Sequence, residues 1–584
     1  MNAAAEFRFS PRPNRAGEID WMAWGEGAFA RARAEDKPIL LAISAVWCHW
    51  CHVMDETSYS DEDVIDAINR RFVAVRVDND RRPDVNARYN MGGWPTTAFL
   101  APDGSTLTGA TYLPPAQMRR ALIEIADFYA ANKAQVAERA STARPHPAYR
   151  PAERADLSES AIAGLVEELA GGYDREYGGF GDAPKFPQPE MLDFLFAEWR
   201  FGGDERLRAM VVETMLAMSR GGTYDRVEGG FFRYSTTRDW SVPHFEKMAE
   251  DHAGLIRLLA RLVSVSPAPA LRETLVSSVR YVLATLYDGS TGFFAGSQDA
   301  DEEYFALPLE ERRARKAPYV DRTSYTNWTC ALAGSLLFAS RALDDDALQE
   351  RALRTLDNVA ERLTDANGLL YHVAAPGEAP AVRGLLTDQV AYLRALLDAH
   401  ETAGEPRFLD RAVSMASQIV ERFEAEDGGF YDRVALESTL GRLDLPDRPI
   451  GDNGILAESL LRLSALAGDE RWRSHAERTL LLYARTYASA GSFAAPYARA
   501  LRRFLAPEIV VRVVATPDAG ADFREAAARL PSPFVNVRTL RPPQAESAGL
   551  PSSPAPAAYV CRGTVCGEPV TAAAALRTAY DAAG

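Results

Sequence analysis

The sequence predicts a multidomain protein in which a small α/β domain precedes a ring of six helical hairpins and a small C-terminal α/β unit. The chain has 584 residues, several times the roughly 150 residues of one domain. Strand and helix patterns alternate up to about residue 142. From there to about residue 505, long helical patterns are separated by glycine-aromatic turns that recur at similar spacing. These observations together predict the three parts.

The amino-acid composition limits the kinds of molecule that this protein is expected to bind. Hydrophobic residues make up 47% and charged residues 25%, which is typical of a globular protein. The net charge of −16 opposes contacts with phosphates, so we expect no nucleic-acid partner. No apolar run is long enough to cross a bilayer, and the first residues lack the apolar core of a secretory signal, so we predict a cytoplasmic protein without membrane contact. Five cysteines in a reducing compartment point to redox chemistry or metal rather than to a disulfide scaffold.

The first domain is predicted to cover residues 1–142. Its pattern is a strand, a helix, a second strand, a strand hairpin and a closing helix, after an initial helix near residues 21–33. The predicted elements are strands at 39–44, 73–77 and 97–101 and helices at 61–71 and around 122–128. Residues 143–155 are rich in proline and are predicted to form a linker.

Residues 156–505 are predicted to form the ring. Its glycine turns lie 51 to 76 residues apart, which fits one helical hairpin per repeat. Glycine allows a positive φ at such a turn, and the aromatic residue after it is expected to pack on the core. The alternative is six unrelated helix ends. The turns begin at Gly178, Gly229, Gly292, Gly368, Gly428 and Gly491.

Residues 506–584 are predicted to form the small C-terminal unit. Strand patterns at 509–514, 535–540 and 558–561 flank a helical pattern at 522–530. This unit carries a second cysteine pair, Cys561 and Cys566, separated by a glycine turn. The two could form a disulfide that exchanges with other thiols or stores an oxidised state, or they could be reduced residues of a strand and turn.

A cysteine cluster follows the first predicted strand and opens a helix: Trp47-Cys48-His49-Trp50-Cys51-His52. We expect the Cys48 sulfur to be exposed at the helix start, where the helix dipole and a protonated His49 or His52 lower the pKa of its thiol. Cys48 would then attack a disulfide and Cys51, one turn later, would resolve the product. Trp50 is taken as an auxiliary residue.

A proline follows about forty residues later, in Gly92-Gly93-Trp94-Pro95-Thr96. A proline directly before a strand is a candidate for a cis peptide. We expect Pro95 to lie beside the cysteines and, together with Trp94, to hold a substrate strand.

Three other interpretations of the cysteine cluster are also compatible with the sequence. Cys48-x-x-Cys51-His52 also satisfies the pattern for covalent haem attachment, which requires export. Two cysteines and two histidines are zinc ligands, although neighbours this close need partners from elsewhere to complete a tetrahedron. The pair could also be structural. We favour the redox reading, without cofactor or metal.

The cluster with its later proline resembles the active site of the thioredoxin fold. Together with Arg82-Pro83-Asp84, Lys185-Phe186-Pro187 and the block from Arg233 to Met248, it is similar to the spermatogenesis-associated protein 20 family and its bacterial YyaL-like relatives. That resemblance covers nearly the whole chain and implies a thioredoxin-like domain followed by an (α/α)6 barrel similar to N-acylglucosamine 2-epimerases and related six-hairpin glycosidases. Trp47 and Arg226 depart from the family pattern.

Polar and aromatic residues are dense in a segment that we expect to lead into a helix beginning at Pro243. Sugar sites combine aromatic faces with carboxylates or histidines that move protons, and this segment supplies both. His244 and His372 are the pair expected to act as base and acid in an epimerase. The alternative is a structural role for these residues, because acidic residues favour a first helical turn, and Lys247 and Asp251 have the spacing of a helical ion pair. The candidate ligand-binding residues are Asp225, Arg233, Tyr234, Trp240, His244, Glu246, Lys247, Asp251, Asp299 and His372, with Asp301, Asp388 and Asp452 as further acidic candidates.

The sequence is compatible with three functional hypotheses. The favoured one is a thiol-disulfide oxidoreductase, with a protein disulfide or thiol as partner, fused to a toroid that binds a small polar or sugar-like ligand. The second places a sugar isomerase, epimerase or hydrolase in the toroid, hence a role in carbohydrate metabolism, and makes the dithiol a redox sensor. The third is a non-catalytic scaffold. The sequence favours an enzyme without naming its substrate.

Overall fold

The computed structural model describes residues 7–142, 152–266, 268–434, 439–516, 518–551 and 555–583. They form two compact units, one of the described residues between 7 and 142 together with 439–447, and one of the described residues between 152 and 434 and between 448 and 583. Most of the predicted linker, from 143 to 151, lies outside the described residues. The predicted domain boundaries at 142, 155 and 505 stay predictions.

The first unit contains a five-stranded sheet flanked by helices. The helices are α1 (Glu26–Glu35), α2 (His49–Glu56), α3 (Glu62–Arg71), α4 (Pro83–Tyr89), α5 (Pro115–Ala131) and α6 (Lys133–Thr142). The strands are β1 (Met22–Ala23), β2 (Ile39–Ser44), β3 (Val73–Asp78), β4 (Thr96–Leu100) and β5 (Thr106–Ala110).

The sheet has the strand order β1-β3-β2-β4-β5, with β1, β3 and β2 parallel and the β4–β5 hairpin antiparallel. The central strand β2 is buried along its whole length because apolar clusters cover both faces of the sheet. The predicted order of strand, helix, strand, hairpin and helix is confirmed. The helix predicted from residue 21 instead begins at Glu26, because Met22 and Ala23 pair with β3.

A distant segment completes this unit. In residues 439–447, Leu443 joins the apolar cluster on one face of the sheet. The Tyr89 hydroxyl accepts a hydrogen bond from the Arg442 backbone N–H at 2.7 Å and donates one to the Gly104 carbonyl at 2.9 Å. Gly104 and Gly441 approach so closely that a side chain at Gly104 would meet the Gly441 backbone.

In the second unit, six inner helices form a closed ring in which each packs on the next and the last packs on the first. The inner helices are α8 (Pro189–Gly202), α10 (Ala249–Val265), α14 (Thr326–Leu343), α16 (Leu386–Ala403), α18 (Ile450–Ala467) and α20 (Ala495–Leu505). Each follows an outer helix: α7 (Glu159–Gly171), α9 (Glu205–Arg220), α11 (Pro269–Tyr281), α15 (Asp346–Arg362), α17 (Pro406–Phe423) and α19 (Arg471–Tyr483). The six-hairpin toroid predicted from the glycine repeat is therefore confirmed.

Short elements occupy the loops between outer and inner helices. The helices are α12 (Glu302–Phe305) and α13 (Leu309–Arg313). The strands are β6 (Tyr234–Ser235), β7 (Pro243–His244), β8 (Lys247–Met248), β9 (Tyr287–Asp288), β10 (Phe293–Phe294), β11 (Ser297–Gln298), β12 (Val320–Asp321), β13 (Ser324–Tyr325), β14 (Tyr371–Ala374) and β15 (Ala381–Arg383).

The repeated turns connect each outer helix to the next inner helix, and their first glycines have the predicted positive φ. The apolar residue after the glycine is buried in five turns, as Phe231 and Phe430 show. The sixth turn is an exception, because Phe493 is 78% exposed. In three repeats the fourth residue of the inner helix accepts a hydrogen bond from a backbone N–H of the turn: His252, Gln389 and Asn453. These side chains hold the turns in place.

The C-terminal part of this unit is a four-stranded sheet of order β17-β16-β18-β19 with three helices. The predicted strands and helix are confirmed within one or two residues. Its elements are β16 (Ile509–Val514), α21 (Ala521–Ala528), β17 (Asn536–Leu540), α22 (Pro542–Ser547), β18 (Ala557–Arg562), β19 (Val565–Cys566) and α23 (Leu576–Ala582). Strand β17 packs on α16 and α18, and the Arg524 guanidinium donates to the Thr402 carbonyl at 2.8 Å. In the described part of the chain, we find no helix with the length and hydrophobicity that a bilayer crossing requires.

Candidate functional site

Cys48 and Cys51 are joined by a disulfide at the start of α2, with their Cα atoms 5.2 Å apart. Cys48 is the residue that caps this helix, and its Sγ accepts a hydrogen bond from the Cys51 backbone N–H at 3.1 Å. A sulfur in this position is oriented toward the positive end of the helix dipole. The geometry therefore favours negative charge on the Cys48 sulfur once the disulfide opens.

The expectation that the Cys48 sulfur is exposed is wrong for this disulfide form. Cys48 is 4% exposed, because its Sγ turns back into the first turn of α2 and is bonded to Cys51. The exposed residue of the cluster is Trp50, at 50%. Its ring lies 5.9 Å from the half-buried His49 ring and 5.4 Å from the Tyr112 ring. Trp50 and its neighbouring rings therefore form the accessible surface of the cluster.

The loop before the disulfide is anchored to the end of β3. The Val46 backbone N–H donates to Asp78 at 3.2 Å, and the buried Trp47 indole N–H donates to Asp80 at 2.6 Å. On the other side of α2, the Arg76 guanidinium binds the Asp55 carboxylate through two hydrogen bonds of 2.7 and 3.0 Å. Because Arg76 lies on β3 and Asp55 on α2, this buried pair fixes the helix against the sheet.

Pro95 lies directly before β4, which pairs with β2 so that Thr96 is opposite Ile43. This pairing brings Pro95 to the end of β2 from which the cysteine loop emerges. The Trp94–Pro95 peptide is cis, as predicted. The Trp94 ring contacts the Trp47 ring at 5.7 Å and donates through its indole N–H to Asn86 at 3.2 Å.

The second cysteine pair is also a disulfide. Cys561 and Cys566 lie opposite each other on the antiparallel strands β18 and β19, with their Cα atoms 3.9 Å apart. Cys561 is buried and Cys566 is half-buried. Cys330 is the free cysteine of the described residues and is buried in α14.

Part of the predicted ligand-binding segment is structural. The helix expected from Pro243 begins at Ala249, because Pro243 and His244 form a short strand with Tyr234 and Ser235. Glu246 is therefore not in a first helical turn. The predicted helical pair of Lys247 with Asp251 is replaced by a buried ion pair of Lys247 with Asp225.

Trp240 is also part of the framework. It is buried, has a positive φ of 63°, and donates its indole N–H to the Gly178 carbonyl at 3.1 Å. A side chain at Gly179 would collide with its ring. Trp240 therefore closes the first glycine turn and offers no face to a ligand.

Other members of the segment form a partly exposed stack. The Tyr234 ring lies 4.8 Å from both the His244 and the Phe186 rings and is nearly parallel to His244. His244 bonds through Nδ1 to Glu246, and Arg233 lies over the Tyr234 ring. Among the described residues, the second oxygen of buried Glu246 has no hydrogen-bond partner. Phe186, the outer ring of the stack, is exposed.

The two histidines proposed as an acid-base pair are held by different carboxylates. His372, on β14, hydrogen-bonds through Nδ1 to Asp388 at 2.9 Å, whereas His244 is held by Glu246. The inner helices that follow them, α10 and α16, are separated in the ring by α14. Asp299 follows β11, which pairs with β8, and is buried with its carboxylate accepting from the Ala300 N–H. Asp301 caps α12.

Carboxylates gather where the inner helices begin. Glu250, Asp251, Asp388 and Asp452, which we call the mouth carboxylates, are the second or third residues of α10, α16 and α18. Burial, followed by the charges of neighbouring carboxylates, raises the pKa of Asp251 and of Asp452 to about 7. Glu250 on α10 contributes to the shift at Asp452 on α18, so the two act on each other across the ring.

Asp388 differs from the other mouth carboxylates in being fully buried. One oxygen accepts from His372 and from the Asn327 N–H at 3.0 Å. The other oxygen has no hydrogen-bond partner in the described part of the chain. Burial raises the pKa of Asp388, and His372 opposes that shift.

Glu250 was not among the candidates predicted from the sequence, although it directly precedes the candidate Asp251 and lies in the first turn of an inner helix. Such a position faces the ring axis whenever the helix packs with its apolar sides on its neighbours.

The mouth carboxylates predict a pH effect on stability. Because the folded pKa of Asp452 lies near 7 and an unfolded aspartate titrates near 3.9, the folded state binds this proton more tightly. Its stabilising contribution is complete below about pH 4 and is lost as the pH rises through about 7. We expect Asp452→Asn to raise the unfolding free energy relative to wild type by about 1–3 kcal/mol at pH 8 and by much less at pH 4.

Thermal unfolding of wild type and Asp452→Asn between pH 4 and pH 8 checks this effect. Asp410→Asn is the matched control, since Asp410 is exposed on the outer helix α17. A difference between Asp452→Asn and wild type that is independent of pH would contradict the raised pKa.

Comparison with protein families supports the prediction that the first unit has a thioredoxin-like fold. Residues 12–145 match the family model Thioredox_DsbH, described as a protein of unknown function, DUF255. The thioredoxin-like part of the predicted fold is therefore confirmed, and it contains a disulfide with the C-x-x-C spacing.

Three relatives match different shares of the chain. Spermatogenesis-associated protein 20 of Rattus norvegicus is 36% identical over 48% of this chain and 39% of its own length. The protein B0495.5 of Caenorhabditis elegans is 26% identical over 96% of this chain and 95% of its own length. The thiol:disulfide interchange protein DsbD of Pseudomonas fluorescens is 31% identical over 14% of each chain. The predicted similarity to spermatogenesis-associated protein 20 is confirmed, and the match spans about two-fifths of that relative's length.

Solved structures align with more than half of the chain. The cellobiose 2-epimerase of Bacillus thermoamylovorans is 12% identical, with a TM-score of 0.46, over 57% of this chain and 88% of its own. A D-mannose isomerase is 12% identical, with a TM-score of 0.46, over 58% of this chain and 88% of its own. The toroid assignment for this protein rests on its own closed ring of inner helices.

Proposed function

We propose that the N-terminal unit is a thiol-disulfide oxidoreductase with Cys48 as nucleophile and Cys51 as resolving cysteine. The observation that carries the proposal is the Cys48–Cys51 disulfide at the N-terminus of α2, with the Cys48 sulfur accepting a helix N–H. The similarity of part of the chain to a thiol:disulfide interchange protein supports it.

The reaction begins with the reduced pair. The Cys48 thiolate attacks one sulfur of a target disulfide, forms a mixed disulfide and releases the other target sulfur as a thiolate that takes up a proton. The Cys51 thiol then loses its proton and attacks the Cys48 sulfur, which releases the second target thiol and restores the Cys48–Cys51 bond. Two electrons pass to the target, and an external dithiol returns them to the pair.

Several neighbouring groups support these steps. The anchored loop at Val46 and Trp47 and the Arg76–Asp55 pair hold the helix start in one position, so that the nucleophile is preorganised. Pro95 and Trp94 border the same end of β2, and Trp50 offers an exposed aromatic face to a protein partner. Reduction of insulin by dithiothreitol, with and without the protein, tests the proposal through Cys48→Ser.

A second candidate function is favoured by the mouth carboxylates. Carboxyl groups with a pKa near 7 can donate and accept protons at neutral pH, as isomerisation or hydrolysis of a sugar requires. The partly exposed stack of Phe186, Tyr234 and His244 supplies an aromatic face of the kind that binds sugar rings. The toroid would then act on a small sugar-like ligand.

Exchange of the C2 hydrogen of free aldoses, followed by proton NMR in D2O, tests this second function. We expect exchange with the wild type and a loss of exchange in Asp452→Asn, whereas Asp410→Asn should behave as wild type. Exchange that survives in Asp452→Asn and in His244→Ala would remove the mouth carboxylates and the aromatic stack from catalysis.

A further inference from the structure

A cavity of about 130 Å³ lies within the toroid, away from the mouth carboxylates. Its wall is made by the C-terminal halves of the inner helices, and residues of α21, β17 and the loop between them cover it. A space of this size holds several waters or one small group. It plays no part in the dithiol or sugar functions proposed above.

The wall of the cavity is strongly cationic. Nine arginine side chains line it, against four carboxylates. Two of these carboxylates are shared: Asp398 accepts from Arg257 at 2.5 Å and from Arg462 at 2.8 Å, and Glu458 accepts from Arg499 at 2.8 Å and Arg503 at 3.2 Å. Carboxylates outside the lining also contribute, because Asp193 pairs with Arg261 and Arg499, and Glu190 pairs with Arg394. The guanidinium groups still outnumber the carboxylates that pair with them.

This excess is unfavourable in a protein interior unless another negative charge offsets it, because buried charges need partners. Burial, together with neighbouring arginines, lowers the pKa of Arg261 and of Arg503 to about 10. The chain as a whole carries a net charge of −16, so the cationic wall is a local feature rather than a general basic character.

Among the arginines that line the cavity, Arg341 on α14 has the fewest partners for its positive charge. Among the described residues it makes neither a hydrogen bond nor an ion pair, and its guanidinium stacks over Phe338 at 5.0 Å. Arg257 stacks over the same ring at 4.6 Å. Of the two guanidinium groups on this ring, Arg257 is bonded to the Asp398 carboxylate, whereas Arg341 lines the cavity without such a partner among the described residues.

We propose that this cavity is a binding site for a phosphate-type oxyanion, with Arg341 as its least paired donor. Guanidinium groups match the geometry of phosphate oxygens and bind them through paired hydrogen bonds. A cavity of about 130 Å³ has room for free phosphate or for the phosphoryl group of a small metabolite. A bound anion of this kind would stabilise the inner helices by neutralising the repulsion among their arginines.

Thermal unfolding in sodium phosphate, compared with sodium chloride at equal ionic strength, tests the site. We expect phosphate at about 100 times its Kd to raise the melting temperature of the toroid by about 2–3 °C. Arg341→Met should fold normally, because Arg341 carries no ion pair, and should abolish the phosphate response. The matched control is Arg351→Met, since Arg351 on α15 also stacks on an aromatic ring, Tyr287 at 5.1 Å, and does not line the cavity.

Calorimetric titration of inorganic phosphate and of glucose 6-phosphate into the wild-type protein distinguishes free phosphate from a phosphorylated metabolite as the ligand. Equal affinities identify free phosphate, and a higher affinity for glucose 6-phosphate identifies a phosphorylated metabolite. No heat of binding from either ligand, or a phosphate-induced shift that persists unchanged in Arg341→Met, would overturn the proposal.

Discussion

Replacement of Cys48 by serine is expected to reduce insulin-disulfide reduction to the rate of the reagents alone. Serine keeps the helix cap, because its hydroxyl can accept the Cys51 N–H as the sulfur does at 3.1 Å, but it cannot form a mixed disulfide. The variant should therefore fold and lose turnover. The measurement is the rate of insulin precipitation with dithiothreitol as the reductant.

Replacement of Cys51 should give a different result. Without the resolving cysteine, the mixed disulfide on Cys48 is not released by the protein itself. Incubation of reduced Cys51→Ser with 5,5′-dithiobis(2-nitrobenzoate) should add one thionitrobenzoate group at Cys48, located by peptide mass spectrometry. In Cys48→Ser, label at Cys51 should form much more slowly, because Cys51 lies within α2, whereas the Cys48 sulfur caps the helix and accepts a backbone N–H that stabilises its thiolate.

The other cysteines supply the controls. Cys330→Ala should leave the reductase rate unchanged, since this thiol is buried in the second unit. A variant with serine at both Cys561 and Cys566 tests whether the second disulfide contributes. Insulin reduction by Cys48→Ser at the wild-type rate would reject the proposed mechanism.

Much of the fold could be predicted because local patterns agreed with the tertiary structure. The glycine turns marked all six hairpins, since a backbone with positive φ is required where each outer helix turns toward the ring. The apolar run at residues 39–44 marked the central strand for the same reason, being buried on both faces. The predicted burial of Phe493 is wrong, because its turn resembles the others in sequence but its ring is exposed to solvent.

The site was harder to predict because residue types do not reveal burial. Cys48 has the position expected of a nucleophile, yet its sulfur is turned into the helix by a bond to a backbone N–H that no sequence pattern displays. Trp240 and Lys247 are residue types that often bind ligands, but here each donates a side-chain hydrogen bond to the carbonyl of a glycine turn that is distant in sequence. The cationic cavity depends on one or two arginines from each of several helices, so only closure of the ring brings them together.

Removal of the Asp225 carboxylate is expected to destabilise the second unit by about 3–5 kcal/mol, since a buried cation loses its partner. The Lys247 ammonium donates to Asp225 at 2.7 Å and to the Gly229 carbonyl at 2.8 Å, and the Arg312 guanidinium donates to the same carboxylate at 2.7 Å. Lys247 is completely buried, and burial lowers its pKa to about 8 despite Asp225. Asp225→Asn therefore leaves two buried cations with Glu228 as their remaining carboxylate.

The same arrangement occurs one repeat earlier, which identifies it as part of the framework. Lys185 donates to Asp174 at 2.7 Å and to the Gly178 carbonyl at 2.8 Å. In both repeats the lysine ties an aspartate to the first glycine of the turn, so the ring depends on the ion pair to position the following inner helix. Asp174→Asn should consequently resemble Asp225→Asn in its loss of stability.

Urea unfolding of Asp225→Asn, followed by circular dichroism, measures this loss, and Asp581→Asn is the control. Asp581 forms an exposed pair with Arg577 within α23, and such pairs contribute about 0.5 kcal/mol or less. If Asp225 were instead a ligand-binding or catalytic residue, Asp225→Asn would keep wild-type stability and lose only ligand binding or turnover. Wild-type stability in Asp225→Asn would therefore contradict the structural role and return Asp225 and Lys247 to the candidate ligand site.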